Sequence, residues 1–363
     1  MINMTSIDEK QYYSIEEVAK MLKVAYLTVY RWIQTKRLRA YKFGKQYRIS
    51  SDELNRYIKN SKYENNKSCK SFTFIDLFAG IGGFHLAFHK AGAKCVFSSE
   101  WNKYARITYE ENFKKISPHL FKNGLFAGDI TKVETSKIPE FDILTGGFPC
   151  QPFSQAGFKK GFADPRGTLF YDIVRILKDK RPSAFFIENV RHLLKHDNGN
   201  TFATIQHVVL NKLDYTFDYK IVKASDFGLP QHRARLFMVG FDKKRYGEVK
   251  FDFPEPYPKL KLTMSDILGG KCDKEIGYTL RVGGRHSGIN DRRNWDTYKV
   301  NDNVVNLTVD QAKKMMGFPD SFSFSVSETQ TFKQLGNSVA VDAIHATAKK
   351  VINKLRSLNE KGK

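Results

Sequence analysis

The stretch Phe72-Thr73-Phe74-Ile75-Asp76-Leu77-Phe78-Ala79-Gly80-Ile81-Gly82-Gly83 decides the fold. Its apolar first half predicts a strand, its glycines predict a turn, and the apolar spacing from Phe84 to Ala91 predicts a helix. Short apolar runs alternate with helical segments along most of the remaining chain, which is typical of an α/β domain with a mostly parallel sheet. Because glycines at a helix N-terminus let a ligand approach the backbone closely, we expect a ligand site at this turn.

The residues after the next predicted strand indicate the kind of ligand. His85 occupies the place of the third glycine of a dinucleotide-binding fingerprint, so the sequence disfavours NAD. Glu100 follows the strand Lys94 to Ser98 and suits hydrogen bonds from ribose hydroxyls, while Trp101 offers a face for an adenine ring. Asp129, after a third short strand, suits the adenine amino group. The alternatives are a solvated carboxylate, a core aromatic and a turn aspartate, respectively.

The composition indicates a polyanionic partner. Sixty Lys and Arg against 38 Asp and Glu leave the 363-residue chain with a formal net charge of +22. A membrane surface is the competing partner, but no apolar run approaches the roughly 18 residues of a spanning helix, and the N-terminus lacks a signal-peptide core. We expect a soluble, cytoplasmic protein. The four cysteines are too few and too scattered for a disulfide framework or a zinc site, and no metal is predicted: Cys69, Cys95, Cys150 and Cys272.

The first 60 residues have the pattern of a winged helix-turn-helix module. Ser14 has the form of a helix N-cap, and a second helix is predicted from Thr28 to Gln34, with Tyr30 and Arg31 on its polar side. Two alternating runs around a glycine, from Leu38 to Ile49, predict a basic β-wing. This block resembles the excisionase and MerR-like modules, which implies DNA contacts at Tyr30 and Arg31. A structural role or a protein-docking role stays open.

Two residues at predicted strand ends could carry chemistry. Cys150 follows the apolar run Phe141 to Phe148, and a thiol there can be a nucleophile once it is deprotonated. A small buried hydrophobe is the commoner role of a lone cysteine. Glu188 follows the strand Ala184 to Ile187, where an acid is costly to bury without a task. A helix-capping or salt-bridged carboxylate is the alternative for Glu188.

Five motifs occur in the order found in the DNA cytosine-5 methyltransferases, and the chain resembles that family from residue 72 to near its C-terminus. They are Asp76-Leu77-Phe78-Ala79-Gly80-Ile81-Gly82-Gly83, Gly147-Phe148-Pro149-Cys150-Gln151, Glu188-Asn189-Val190, Gln231-His232-Arg233-Ala234-Arg235 and Gln334-Leu335-Gly336-Asn337-Ser338-Val339. The resemblance implies an S-adenosylmethionine-dependent methyltransferase fold, Rossmann-like, with an inserted target-recognition region. The expected segments are the winged helix-turn-helix domain (1–60), a linker (61–71), the catalytic domain (72–241), the target-recognition region (242–307), the C-terminal part of the catalytic domain (308–359) and a tail (360–363).

The resemblance also assigns roles to the catalytic residues. Cytosine C5 is a poor nucleophile, and attack of the Cys150 thiolate at C6 adds electron density to the ring. Glu188, carrying a proton, would donate to N3 of the base, and burial favours that proton. Arg233 and Arg235 would lie around the base O2 and the catalytic loop, with phosphate contacts as the alternative. Ala234 departs from the Glu that the family usually has between these arginines.

The resemblance implies S-adenosylmethionine as the cofactor. It identifies the residues that would bind it as Phe78, Gly80, Gly82, Gly83, Glu100, Trp101, Asp129, Ile130, Pro149, Asn337 and Ser338. Asn337 and Ser338 precede an apolar helix predicted from Val339 to Ile352. In the family this element folds back beside the first strand, so the catalytic domain is expected to be discontinuous.

Further residues are expected to contact double-stranded DNA. The segment Gln151 to Phe170 is long and Gly-rich, which predicts a lid over a flipped nucleotide, with Gln151 and Ser154 near the base and its phosphate. In the target-recognition region Arg281 and Arg285 are expected to read guanines. Contact with phosphates is the alternative for these two arginines. For the neighbouring pair, Arg292 and Arg293, phosphate contact is nearly as well supported as base reading.

The sequence thus predicts a DNA cytosine-5 methyltransferase, monomeric on DNA, that modifies a short specific site in a prokaryotic type II restriction system. A cognate endonuclease acting on the same site, without direct contact, is the expected partner. Autoregulation of transcription is the further activity considered for the N-terminal module. The alternatives are a transfer-RNA cytosine-5 methyltransferase of the same fold and a transcription regulator with an inert methyltransferase domain.

Overall fold

The computed structural model describes residues 12–22, 24–35, 37–44, 46–66, 71–148 and 169–361, with side chains described as far as residue 58 in the first unit and residue 360 in the second. The chain divides into two compact units, Met1–Lys70 and Ser71–Lys363.

The N-terminal unit is a helix-turn-helix with a small antiparallel sheet. Its helices and strands are β1 (Tyr12–Tyr13), α1 (Ile15–Met21), α2 (Tyr26–Gln34), β2 (Tyr41–Phe43), β3 (Gln46–Ser50) and α3 (Ser51–Asn66). A capping box starts α1, because the Ser14 hydroxyl accepts the Glu17 N–H at 3.2 Å and the Glu17 carboxylate accepts the Ser14 N–H at 2.8 Å. The strand order is β1-β3-β2, and Val18, Val29 and Ile49 lie fully buried in the core.

One predicted boundary in this unit was wrong. The expected linker began at residue 61, but α3 runs on to Asn66. Residues 61–66 contain neither Pro nor Gly, so nothing in their backbone ends the helix that Ser51 begins. A polar segment therefore continued a helix instead of becoming a coil.

The second unit is built on a mostly parallel sheet, as predicted. Over the described residues its seven strands are β4 (Thr73–Leu77), β5 (Lys94–Ser99), β6 (Phe126–Ala127), β7 (Ile143–Gly147), β8 (Ala184–Val190), β9 (Asp218–Lys223) and β10 (Ala234–Phe241). Their order is β6-β5-β4-β7-β8-β10-β9, and β10 runs antiparallel to both of its neighbours. The crossovers between the parallel strands need intervening segments, which explains the alternating sequence pattern.

Helices cover both faces of this sheet. The α-helices described in this unit are α4 (Gly83–Lys90), α5 (Lys103–Phe113), α6 (Pro118–Lys122), α7 (Leu169–Lys180), α8 (Asn200–His207), α9 (Lys243–Tyr246), α10 (Met264–Leu268), α11 (Val309–Met315), α12 (Glu328–Asn337) and α13 (Val341–Lys361). Successive residues of β8 alternate between two cores: Phe185 and Ile187 pack with α7 and α8, whereas Phe186 packs with α4 and α13. Burial on both faces makes β8 continuously apolar up to Glu188.

The predicted recognition region departs from the α/β alternation. Between β10 and α11 the chain is largely irregular, with α9, α10 and one hairpin formed by β11 (Thr297–Val300) and β12 (Asn303–Asn306). After it, α12 and α13 return the chain to the start of the second unit, where α13 packs against α4. No helix in the described part of the chain is long and apolar enough to span a membrane.

Candidate active site

The glycine turn after β4 is shaped by sterics. Phe78 and Gly80 both have φ of 55°, and Gly82, the N-cap of α4, has φ of 86°. A Cβ on Gly82 would collide with the Phe113 ring, and one on Gly83 would lie 2.6 Å from Val339 Cγ2. The turn therefore needs glycine at 80 for its backbone conformation and at 82 and 83 for space.

Glu100 ties this turn to the end of β5. Its Oε2 accepts the Gly80 N–H at 2.8 Å and its Oε1 accepts the Asn102 N–H at 2.7 Å. Burial raises the pKa of Glu100, and these backbone hydrogen bonds oppose that rise. Trp101 is 78% exposed, which excludes a core role for its indole. The turn, the carboxylate and the indole border one cavity.

Asp129 acts locally as a cap. Its Oδ1 accepts the Thr131 N–H at 3.0 Å and the Thr131 hydroxyl at 2.8 Å, at the start of the short 3₁₀ turn Ile130–Lys132. Both Asp129 and Ile130 also line the cavity. The turn-aspartate role and the ligand role are therefore compatible at this position.

Glu188 forms the other end of the cavity. It lies inside β8, two residues before the strand ends at Val190, and only 8% of it is exposed. Arg235 Nε lies 3.0 Å from Glu188 Oε1. A Cβ on Gly147 would lie 3.0 Å from Glu188 Oε2, so the glycine leaves room for that oxygen. Burial raises the pKa of Glu188, and the positive charges of Arg235 and Arg233 only partly offset this rise.

Arg233 lines the cavity and is bound to backbone carbonyl groups of the protein. It is 2% exposed, and its guanidinium donates to the carbonyl oxygens of Leu280 at 3.1 Å and Gly336 at 2.9 Å, and to that of Ser338. These carbonyls engage both Nη atoms, whereas Nε has no partner among the described residues, and the expected position of Arg233 around the base O2 stays a prediction. Burial lowers the pKa of Arg233 to about 9. Arg233 connects the predicted recognition region to the turn after α12.

The end of α12 contributes Asn337, which closes the helix, and Ser338, its C-cap. Gln334 belongs to the last of the five motifs, and its sequence context predicts no role for it. Gln334 is 8% exposed, its Oε1 accepts the Thr108 hydroxyl at 2.9 Å, and its Nε2 has no partner among the described residues. The Ser99 hydroxyl is likewise buried without a described partner. Both residues line the cavity, and an unpaired buried donor is a signal that only coordinates reveal.

The cavity measures about 750 Å³ and joins the two ends of the site. Of the predicted site residues it brings together Phe78, Gly80, Glu100, Trp101, Asp129, Ile130, Glu188, Arg233, Arg235, Asn337 and Ser338. Gly82 and Gly83 support it through packing. Pro149, Cys150, Gln151 and Ser154 lie outside the described residues. The part of the chain that the structure describes has no group of three or more His, Cys, Asp or Glu that could hold a metal ion.

The arginines predicted to read bases have unequal freedom. Arg285 contacts the Glu328 carboxylate and lies 3.9 Å from the centre of the Phe332 ring. Arg293 pairs with Asp291 at 2.8 Å. Arg281 is exposed and donates to the Arg293 carbonyl at 2.6 Å. These contacts make Arg281 a better candidate for base reading than Arg285, and all four assignments, including exposed Arg292, stay predictions.

Comparison with known proteins agrees with this geometry. Residues 72–305 and 273–353 match the family described as C-5 cytosine-specific DNA methylase. The chain belongs to this family. Residues 12–62 match a helix-turn-helix domain.

Named relatives within the family are similar over most of the chain. The type II methyltransferase M.SsoII of Shigella sonnei is 42% identical over 328 residues, covering 81% of this chain and 83% of the relative. M1.ScrFI of Lactococcus lactis subsp. cremoris is 42% identical over 332 residues, covering 83% and 82%. M.HhaI of Haemophilus parahaemolyticus is 36% identical over 322 residues, covering 78% and 95%. The chain is therefore a DNA cytosine-5 methyltransferase with a helix-turn-helix domain.

Solved structures share the fold. A DNA modification methyltransferase encoded within an E. coli prophage superimposes with a TM-score of 0.59 at 21% identity, covering 79% of this chain and all of that one. S. pombe Dnmt2 gives a TM-score of 0.57 at 19% identity, covering 78% and 99%. At these identities the likeness concerns the S-adenosylmethionine-dependent methyltransferase fold alone.

Proposed function

We propose that the chain methylates C5 of one cytosine in a short specific duplex sequence, as the modification enzyme of a type II restriction-modification system. The observation that carries the proposal is the shared cavity, in which the buried Glu188–Arg235 pair faces the same space as the glycine turn and Glu100. A base-binding end and a methyl-donor end are thereby joined. The type II relatives support the restriction-modification context.

The cavity fits S-adenosylmethionine, which supplies an electrophilic methyl group when bound. The turn at Gly80 would receive its amino-acid part, Glu100 retains lone pairs for ribose hydroxyls, and exposed Trp101 offers a face for adenine. The unpaired donors of Ser99 and Gln334 are further partners for a polar ligand. Asn337 and Ser338 complete the wall.

We propose that Cys150 is the nucleophile. In the sequence it stands three residues after Gly147, where β7 ends beside Glu188. Its thiolate would form a bond to C6 of the base while the C5–C6 π electrons shift towards C5, which then takes the methyl group. Loss of the C5 proton and of the Cys150 sulfur restores the aromatic ring. Because the base must leave the stack to meet these groups, the proposal includes base flipping.

Glu188 and Arg235 would hold the base and stabilise the developing charge. A protonated Glu188 donates to N3 of the cytosine, and burial of the carboxyl favours that protonated form. The Arg235 side chain, through Nε, fixes Oε1 of the carboxyl group. A fixed acid in a buried position needs little reorganisation during the reaction.

We further propose that the helix-turn-helix domain binds duplex DNA and regulates transcription, and that a cognate restriction endonuclease acts on the same site in the cell without direct contact. The enzyme is proposed to act as a monomer on DNA. The intact pairing of Glu188 with Arg235 favours an active enzyme over an inert methyltransferase domain, and the named type II relatives favour DNA over transfer RNA.

Bisulfite sequencing of duplex DNA treated with the protein and S-adenosylmethionine tests the function and identifies the site. Protection of one cytosine within a recurring short sequence is the expected result. Cys150→Ser should abolish protection, while Cys272→Ser, a half-buried cysteine of the recognition region, is the matched control and should retain it. Full methylation by Cys150→Ser would remove the covalent step from the proposal.

A further inference from the structure

The second helix of the N-terminal unit exposes an unusually apolar surface. Tyr26, Leu27 and Tyr30, here called the tyrosine–leucine face, are 44%, 68% and 37% exposed. Val29, which helical periodicity places roughly opposite Leu27 on α2, is completely buried, so the core contact and the most exposed side chain lie on different sides of the helix. Large exposed apolar side chains grouped on one helix face mark an interaction surface.

Neighbouring side chains hold this face in place. The Tyr26 and Tyr30 rings stack with centroids 6.3 Å apart and an angle of 11° between their planes. The Tyr30 ring meets the Tyr47 ring of β3 edge to face at 6.1 Å. Gln34 Nε2 donates to the Tyr47 hydroxyl at 3.3 Å. The face is therefore ordered before a partner arrives, which lowers the entropic cost of binding.

Charge indicates that the partner is duplex DNA and not a protein. Residues 12–58 contain ten Lys and Arg against four Asp and Glu, and α2 contains no acidic residue. Arg31 is exposed next to Tyr30, and Lys42 lies 6.0 Å from the Tyr47 ring, so positive charge flanks the apolar face. Duplex DNA is a polyanion and can present an apolar group in its groove, so it matches both the positive charge and the apolar face.

Only one apolar group projects from the base edges into the major groove of ordinary DNA. It is the C5-methyl group of thymine, and the other base edges present hydrogen-bond donors and acceptors. 5-Methylcytosine, the product of cytosine-5 methylation, carries a methyl group at the same ring position. In a helix-turn-helix unit the second helix lies in the major groove.

We infer that the tyrosine–leucine face reads C5-methyl groups of pyrimidines in duplex DNA. This inference rests on the proposed DNA binding by the helix-turn-helix domain. The shared chemistry has two sources, thymine in an unmethylated regulatory sequence and 5-methylcytosine made by the enzyme itself. In the second case the N-terminal unit would sense the product of the catalytic unit.

Two random-sequence duplex libraries, one with cytosine and one with 5-methylcytosine, distinguish the two sources. From each library we select the duplexes that the full natural chain binds and discard those that the Leu27→Ala variant also binds. This step removes sequences that are bound only by the catalytic unit. If thymines are enriched at fixed positions from both libraries, thymine is the source of the methyl groups that are read. If 5-methylcytosine is enriched at fixed positions, the source is the product of the enzyme. Both results support the inference.

The enriched duplex is then resynthesised with uracil for thymine, or cytosine for 5-methylcytosine, so that only methyl groups are lost. We expect the affinity of the full chain to fall about fourfold for each contacted methyl group, as for one buried methylene. Leu27→Ala and Tyr30→Ala should bind both forms of the duplex equally. Met21→Ala, which removes a 43% exposed side chain at the end of α1, is the matched control and should discriminate as the natural chain does.

The two possible failures are distinguishable. Equal binding of the methyl-bearing and methyl-free duplexes by the natural chain, with Arg31→Ala still weakening both, would overturn methyl reading and leave DNA binding by the unit intact. Failure of both libraries to yield any duplex that depends on residues 27, 30 or 31 would overturn the proposed DNA binding itself, and the inference with it.

Discussion

At the scale of single residues, Arg233 differs from its neighbour Arg235 in what its guanidinium touches. Arg235 contacts the Glu188 carboxylate, whereas Arg233 donates to three backbone carbonyls from two distant segments. We therefore expect Arg235 to act on the chemical step and Arg233 to hold the geometry of the site.

Arg233→Lys tests this division. A single ammonium group cannot reproduce the planar set of donors, and each buried carbonyl left without a partner costs about 1 to 3 kcal/mol. We expect a lower melting temperature together with higher KM values for both DNA and S-adenosylmethionine, because Leu280 lies in the predicted recognition region and Ser338 lines the cavity. Arg235→Lys should instead act mainly on kcat. Unchanged KM values for both substrates in Arg233→Lys would contradict the bridging role.

Glu188→Gln tests the acid. The amide keeps the size of the carboxyl and can donate a hydrogen bond, but it cannot transfer a proton to N3. We expect kcat to fall by about 100-fold or more, with binding of S-adenosylmethionine unchanged. Because burial raises the pKa of Glu188, the protonated form persists to higher pH and is lost as the pH rises through that raised pKa. The rate of the natural enzyme should therefore decline on the alkaline side, and a pH–rate profile of the variant should lack this decline.

At the scale of elements, β4 carries a buried acid below the glycine turn. Asp76 is completely buried, its Oδ2 accepts the His85 N–H at 3.2 Å, and Thr145 Oγ1 lies 3.5 Å from its Oδ1. Burial raises the pKa of Asp76 from 3.8 to about 8. A neutral carboxyl avoids the cost of burying a charge and still accepts the His85 N–H, so the protonated form keeps the contact between the strand and α4.

Asp76→Asn should flatten the pH dependence of stability. The folded chain keeps a proton that the unfolded chain releases, so this contribution is complete below pH 3.8 and declines as the pH rises to about 8. Asparagine imitates the protonated acid at every pH. Thermal denaturation between pH 6 and 9 should show the natural chain losing stability with rising pH more steeply than the variant. Parallel curves would mean that Asp76 is ionised in the folded chain.

The contact between α4 and the turn before α13 gives a second prediction at this scale. A Cβ on Gly83 would lie 2.6 Å from Val339 Cγ2 and 3.2 Å from the Ser338 hydroxyl. Gly83→Ala should destabilise the fold by about 1 to 3 kcal/mol and raise KM for S-adenosylmethionine, because the turn at Ser338 must move. Gly283→Ala, whose added Cβ would meet no atom within 4 Å, is the control and should leave that KM unchanged.

The sequence was sufficient to predict those elements whose pattern is local. The strand, turn and helix from Thr73 to Lys90 follow from apolar spacing and glycines, and the isolated acid at 188 follows from its apolar neighbours. The partners of Arg233 could not be predicted, since they lie 47 to 105 residues away along the chain. The extension of α3 to Asn66 could not be predicted, because a polar segment of a helix has the same composition as a linker.

At the scale of the whole molecule, both units are basic. Residues 1–70 contain fifteen Lys and Arg against seven Asp and Glu, and the remaining chain contains 45 against 31. A surface with this excess binds phosphates through released counterions, so affinity depends on salt.

We therefore expect the affinity of the full chain for duplex DNA to fall about 1,000-fold or more between 50 and 200 mM salt. Residues 71–363 alone, which form a compact unit, should show a shallower slope in a plot of log affinity against log salt. Fluorescence anisotropy with one labelled duplex measures both slopes. Identical slopes would show that the N-terminal charges make no phosphate contacts.

The pairing of Gly83 with Val339 has a consequence for biosynthesis. The first and last walls of the donor site lie more than 250 positions apart in the chain, and Arg233 reaches its carbonyl partners only when Gly336 and Ser338 are present. A ribosome translating this message must therefore extrude the chain beyond Val339 before the proposed methyl-donor pocket can close. Nascent chains stalled upstream of that point hold the proposed nucleophile and acid but lack a finished cavity, so we expect them to be inactive.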